Sequence, residues 1–280
     1  MVTVSYEGGP SDSLNVFAAL RAWLTPGDAV VPSVELFEPG QSQQSVTRQD
    51  TTEMLSSQQI ATAAALCQLR IPFVTVDTVS VVEQDMPARG VLKIGDVIEA
   101  VDGTPVTCKS DAGDLISSHA PGSVVTLTVL RRGVRRRIRI KAVAYQGRAA
   151  VGVEIAESYR DLPFSVKIRV GNIGGPSAGL MFALGIIDKL TPESLTHGNF
   201  IAGTGEMVSA NGAIGPIGGI QQKMVAARDA GATIFLTPAA NCSDTEGATP
   251  AGLRLIKVST LAEAVADLHA LVLGKPVPGC

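Results

Sequence analysis

None of the four cysteines in this 280-residue chain stands in a CxxC pair or at a zinc-binding spacing from a histidine. Cys67, Cys108, Cys242 and Cys280 are isolated from one another, so no metal site is expected. Disulfides among them stay open, and one would require an oxidising compartment. Histidine is scarce as well, with only His119, His197 and His269. There is no apolar run of about 18 residues and no signal-peptide pattern after Met1, so the sequence as it stands reads as soluble. No internal repeat emerges. Gly218-Gly219-Ile220-Gln221-Gln222-Lys223 lacks the glycine spacing and the following Ser or Thr of a phosphate-binding Walker loop. A formal net charge of −3 argues against a dedicated nucleic-acid binder.

What is present is ample apolar material, 45% of residues, over a length that usually means about two domains. One local basic cluster, Arg131, Arg132, Arg135, Arg136, Arg137, Arg139 and Lys141, is interleaved with Val134, Ile138 and Ile140 around Gly133. It reads as a β-hairpin with a solvated charged face, with attraction to anionic lipid or an acidic partner as the alternative.

Two glycine-rich elements carry the chemistry. Gly174-Gly175-Pro176-Ser177-Ala178-Gly179 runs into Leu180, Leu184 and Ile187, which recur at helical spacing, so Ser177 is placed at a helix N-terminus. Backbone N–H groups and the positive end of the helix dipole gather there, where they would stabilise an oxyanion. The plainer reading of Ser177 is an N-cap. Downstream, Ile220, Met224 and Ala227 form an apolar stripe, and Lys223 lies on the same side. A lysine buried there would lose hydration and become a base for a serine hydroxyl; the plainer reading is a lysine that snorkels to the surface. Between the two, Phe200-Ile201-Ala202 reads as a strand entering Gly203-Thr204-Gly205-Glu206, and 212–219 as a glycine-punctuated turn.

GGPSAG, TGE and GPIGGIQQK in this order resemble the proteolytic domain of the Lon proteases, over about residues 146 to 272. The serine and lysine stand 46 residues apart, close to the family spacing. The resemblance implies Ser177 as nucleophile, Lys223 as general base, Thr204 as the hydroxyl that orients the lysine, and Gly174 as a backbone contributor to the oxyanion site. It further implies an endopeptidase without a cofactor, acting on unfolded protein or peptide segments, and assembly into a homo-oligomer of hexameric type. With no ATPase motif in the chain, cleavage should not need ATP. The Lys-Asp pair usual before the GPSAG glycine is replaced by Ile173-Gly174, a version that resembles the smaller Lon-like proteins with a PDZ domain. Those typically begin with a transmembrane helix. Residues 2–6, Val-Thr-Val-Ser-Tyr, read as a strand whose preceding anchor has been removed, which would set the domains outside the cytoplasm; a cytoplasmic location is the alternative. Two rivals complete the picture. One is the G-x-S-x-G elbow of an α/β hydrolase, which needs a downstream acid and histidine that this chain is ill placed to supply. The other is a binding protein on a silent Lon-like fold, presenting a groove to membrane or envelope partners.

Val79-Ser80-Val81-Val82, then the Gly90–Gly103 stretch with Leu92-Lys93-Ile94-Gly95-Asp96-Val97-Ile98 and Val101-Asp102-Gly103, resemble a PDZ domain, with a helix over 111–118 beside its peptide groove. The resemblance implies a peptide ligand added as an extra strand. By chain order the carboxylate-capturing loop would fall at Leu69, Arg70 and Ile71, where Arg70 replaces the glycine that the pattern favours; the alternative is a PDZ unit that only packs as a lid or spacer. The fold class expected is therefore α+β, a Lon-type proteolytic domain (146–274) with an inserted or preceding small β-rich PDZ domain (71–145). Residues 1–70 should add helices over 14–24, ended by Thr25-Pro26-Gly27-Asp28, and 54–69, with Cys67 in the core. The Gln-, Ser- and Thr-rich stretch 38–50 between them reads as a loop, and the whole segment as completing a domain into which the PDZ unit is inserted.

Overall fold

The computed structural model describes residues 2–10, 14–25, 27–169 and 173–280. Two units emerge, one of residues 1–68, 166–208 and 212–280, the other of 69–165 with 209–211. The first unit opens with helices α1 (Val16–Leu24), α2 (Ser33–Leu36) and α3 (Gln43–Gln68). Helix α1 is capped by Asn15, whose side chain accepts from the Ala18 N–H, and stops where Thr25 becomes extended; Pro26 lies outside the described residues. Residues 2–6 form no strand, contrary to expectation.

Helix α3 corrects a second expectation, because it begins at Gln43 and takes in most of the stretch read as a loop. Ser42 and Ser45 exchange hydrogen bonds at its start, each side chain accepting from the other's backbone N–H. Val46, Met54, Ser57, Ala61 and Ala64 are buried along it. Polar composition thus conceals a packed face, and tertiary contact rather than propensity fixes the helix. Cys67 is buried as expected.

The second unit is a sheet of β1 (Val74–Val82), β2 (Val97–Val101), β3 (Thr104–Pro105), β4 (Val124–Arg131), β5 (Val134–Lys141) and β8 (Val153–Arg160), with helix α4 (Ala112–Ser117) and a separate hairpin of β6 (Val143–Tyr145) and β7 (Arg148–Ala150). The strand order is β5-β4-β2-β1-β8, with β3 paired to β2. Its core joins Val79, Ile98, Leu127, Val129, Ile140 and Ile116. The basic stretch is the expected hairpin, β4 with β5, from Val124 opposite Lys141 to Arg131 opposite Val134. Asp96 explains the Gly-Asp motif. Its carboxylate accepts from the Lys93 N–H and from two nitrogens of Arg131 at 2.7 Å, while only 1% exposed. Burial works against its charge, but those hydrogen bonds outweigh it and hold its pKa below the ordinary range. The unit extends past the expected boundary at 145, because β8 pairs antiparallel with β1 along its length.

The chain then returns to the first unit with α5 (Gly179–Leu190), β9 (Ile201–Gly203), β10 (Glu206–Met207), β11 (Ile214–Gly215), α6 (Ile220–Asp229), β12 (Ile234–Pro238), a 3-10 segment Ala239–Thr245, β13 (Arg254–Val258) and α7 (Leu261–Val272). Strands β9, β12 and β13 make a parallel sheet with β12 central and fully buried, and β10 pairs with β11. A disulfide, Cys242–Cys280, ties the 3-10 segment to the C-terminal tail. Among the described residues no helix is long and apolar enough to cross a membrane.

Candidate active site

Helix α5 begins at Gly179 with Ala178 in the cap position and no side-chain cap. Ser177, one residue earlier, therefore does not serve as the cap, and its hydroxyl is turned to another partner. The loop is held from several sides: the Thr204 hydroxyl and the Gly205 N–H both donate to the Ser177 carbonyl at 2.9 Å, and the Leu180 N–H donates to Gly205 O at 3.0 Å. The Ser177 and Ala178 N–H groups have no hydrogen-bond partner among the described residues. They stand at the positive end of α5, where an anionic oxygen would be favoured.

Lys223 arrives from α6, whose buried stripe is Ile220, Lys223, Met224 and Ala227, as the spacing predicts. Just ahead of that helix the Asn241 side chain accepts from the Ile217 N–H and donates to the Ile217 carbonyl, fixing the turn. Lys223 is 4% exposed and does not snorkel. Its Nζ lies 3.0 Å from Ser177 Oγ and 3.4 Å from Thr204 Oγ1. Burial strips hydration from the ammonium and lowers its pKa to about 8. Because the Thr204 proton is engaged by Ser177 O, its oxygen presents a lone pair to the amine. A neutral amine can donate there and turn its own lone pair to the serine hydroxyl. None of the three histidines contacts Ser177 among the described residues; His119 bonds Asp102 and Leu115 O, His197 sits in a turn, and His269 is exposed on α7.

Gly174, expected to supply a backbone donor, packs against helix α3: a Cβ there would lie 2.4 Å from Asp50 Cβ, so only glycine fits. The neighbouring Gly175 N–H donates to Asp50 O at 3.1 Å, and Ser57 Oγ donates to Pro176 O at 3.0 Å. Asp50 and Ser57 were invisible to motif reading, because they lie more than a hundred residues upstream in a segment with no catalytic pattern. The only signal available was their seven-residue spacing, which puts both on one helix face.

In the β-rich unit, a groove of about 420 Å³ is lined by Met86, Gly113, Ile116, Val151, Gly152, Val153 and Ile155, with Glu83 and Glu154 among the lining. It lies between α4 and β8, the edge strand that among the described residues pairs with β1 alone. Leu69, Arg70 and Ile71, expected to form the peptide-binding loop, are not part of it. They make the turn between α3 and β1, with Arg70 in a left-handed conformation at φ 58°. The cavity is bounded instead by β8, the last strand of the sheet in sequence. Gly152 is the residue the groove demands: its φ is 82°, and a Cβ would sit 1.9 Å from Met86 Cβ.

Residues 138–272 match the profile of the Lon protease (S16) C-terminal proteolytic domain, and residues 71–142 that of the PDZ domain. The chain is 34% identical over 161 residues to a Lon protease of Methylocella silvestris, covering 55% of this chain and 19% of that protein. It is 29% identical over 165 residues to a Lon protease of Heliobacterium modesticaldum, covering 58% and 20%. The chain thus spans about a fifth of the length of these curated relatives. The PDZ domain of an SdrC-like protein from Listeria innocua is 27% identical, covering 29% of this chain and 92% of that one, with a TM-score of 0.27. Fold and site define an α+β protein with a Lon-type proteolytic domain. The same chain carries a PDZ match directly ahead of it, so the two matched domains stand side by side in one sequence. Strand β8 falls in the Lon-matched range, yet it completes the PDZ sheet.

Proposed function

We propose that this chain is a serine endopeptidase in which Ser177 and Lys223 form a catalytic dyad, cutting unfolded or flexible protein segments without ATP. The observation that carries the reading is a buried lysine amine 3.0 Å from a serine hydroxyl at a helix N-terminus. Neutral Lys223 takes the hydroxyl proton as Ser177 Oγ attacks a peptide carbonyl; the proton passes to the leaving amine, and the amine of Lys223 then activates the water that releases the acyl group. The free N–H groups of Ser177 and Ala178 are the nearest donors for the oxyanion, with Gly174 a further backbone contributor in the same loop. Thr204 holds the amine in line.

The PDZ groove takes an extended peptide along the free edge of β8, from substrate or regulator, and its apolar floor of Met86, Ile116, Val153 and Ile155 favours an apolar side chain. A homo-oligomer belongs to this reading, supported by the uncovered apolar surface of α1, where Phe17 is 85% and Trp23 79% exposed. A location outside the cytoplasm is supported by the Cys242–Cys280 disulfide.

The test is cleavage of casein in the absence of nucleotide by the parent chain, Ser177→Ala and Lys223→Ala, each checked for folding. The parent should cut and both variants should lose at least about a thousandfold in rate. Equal cleavage by all three, or an absolute requirement for ATP, would sink the proposal.

A further inference from the structure

The PDZ-preceding segment reaches the nucleophile loop through one face of α3. Asp50, Met54, Ser57 and Ala61 recur at helical spacing along it, and Met54, Ser57 and Ala61 are buried. Ser57 is polar and only 2% exposed, yet its hydroxyl makes no bond within its own helix; it donates to Pro176 O, 119 residues away, at 3.0 Å. Pro176 C=O and Ser177 N–H belong to the same planar trans peptide, so they point in opposite directions and turn together. Pinning the carbonyl on the α3 side therefore aims the Ser177 N–H away from α3. That N–H is without a partner among the described residues. The Gly179 N–H also reaches Pro176 O, but at 3.2 Å and from within the same turn, so it moves with the loop and cannot fix it against the rest of the unit. Gly175 N–H on Asp50 O gives the loop its second anchor on the same helix.

We infer that Ser57 is a positioning residue for the peptide hydrolysis proposed above, holding the Pro176–Ser177 peptide so that the Ser177 N–H meets the developing oxyanion. The inference rests on Ser177 being the nucleophile. It acts on the transition state and not on substrate capture, since the ground-state carbonyl needs no such aim.

The experiment measures kcat and KM on a flexible fluorogenic peptide, and inhibition by a peptide boronate, whose tetrahedral adduct on serine carries the oxygen that mimics the oxyanion. Ser57→Ala should lower kcat about tenfold or more with KM little changed, and weaken the boronate by a similar factor. Ser57→Thr and Ser57→Val have matched shape and differ only in the hydroxyl, so any strain from the added bulk is common to both. The threonine variant should exceed the valine variant by the same factor. The midpoint of the pH profile should not move in any of them, because the Lys223 environment is untouched. If Ser57→Ala is folded with unchanged kcat, or if threonine and valine behave alike, the positioning role is overturned while loss in Ser177→Ala and Lys223→Ala still supports the dyad. If the parent chain itself neither cleaves nor binds the boronate, the dyad reading falls and the role of Ser57 falls with it.

Discussion

Lys223 is the residue on which stability and chemistry collide. Its buried amine has a pKa near 8 instead of the ordinary 10.5, chiefly through lost hydration. At neutral pH the group must be charged and buried, which disfavours folding by about 3 kcal/mol at about 1.4 kcal/mol per pH unit. The sign follows from proton counting. Between about 8 and 10.5 the unfolded chain binds more protons at this position than the folded one, so stability rises with pH across that window. Replacing Lys223 with Met, which suits the apolar stripe, should raise unfolding free energy at pH 7 by up to about 3 kcal/mol, and the advantage should shrink as pH passes through that window. Denaturant melts of both proteins at several pH values measure this. A gap that stays constant with pH would show that the amine is not the source. Serine, lysine and threonine were all legible in sequence, because glycine punctuation and helical spacing report local geometry directly. Ser57 and Asp50 were not, because their roles depend on packing between segments distant in the chain.

Among the elements, α3 and β8 show where sequence reading stops. The stretch before Asp50 is rich in Gln, Ser and Thr; Ser and Thr are modest helix formers and none of the three has much to bury, yet α3 begins at Gln43 and is held by packing that composition does not disclose. The β4–β5 hairpin was legible because a Gly133 turn announces it locally, and α4 because the PDZ resemblance implied a helix over 111–118. Strand β8 was not singled out in sequence because VEIAESYR alternates half-buried and exposed positions without a turn signal that assigns it to either domain. Its structural requirement is concentrated in Gly152. Gly152→Ala should abolish peptide capture while leaving cleavage of a short unanchored peptide within about twofold, because a Cβ would strike Met86 and the left-handed φ is closed to alanine at low cost. Fluorescence anisotropy on a panel of labelled peptides ending in apolar residues reads the first effect. Unaltered binding would place the ligand elsewhere.

At the scale of the whole molecule, the chain builds one unit from three separate stretches, 1–68, 166–208 and 212–280, and a β-rich unit from 69–165 with 209–211. In sequence the PDZ pattern lies between the N-terminal helices and the serine loop, which left both an inserted and a preceding PDZ domain open. The Cys242–Cys280 pairing was not legible there, because four isolated cysteines allow several partners. Closing 38 residues, that bridge should contribute about 4 kcal/mol, so Cys280→Ser should melt earlier than the parent without reductant; equal midpoints in the two would show that the bridge adds nothing. The central claim is that a neutral lysine activates Ser177. The measurement that tests it most directly is the pH dependence of the acylation rate, followed by reaction of the intact chain with a peptide ester under single-turnover conditions. The rate should show a single rise with a midpoint near 8, set by Lys223 and absent from the residual reaction of Lys223→Ala. A rate that stays flat from about pH 6.5 to 9.5, with the fold intact throughout, would contradict it.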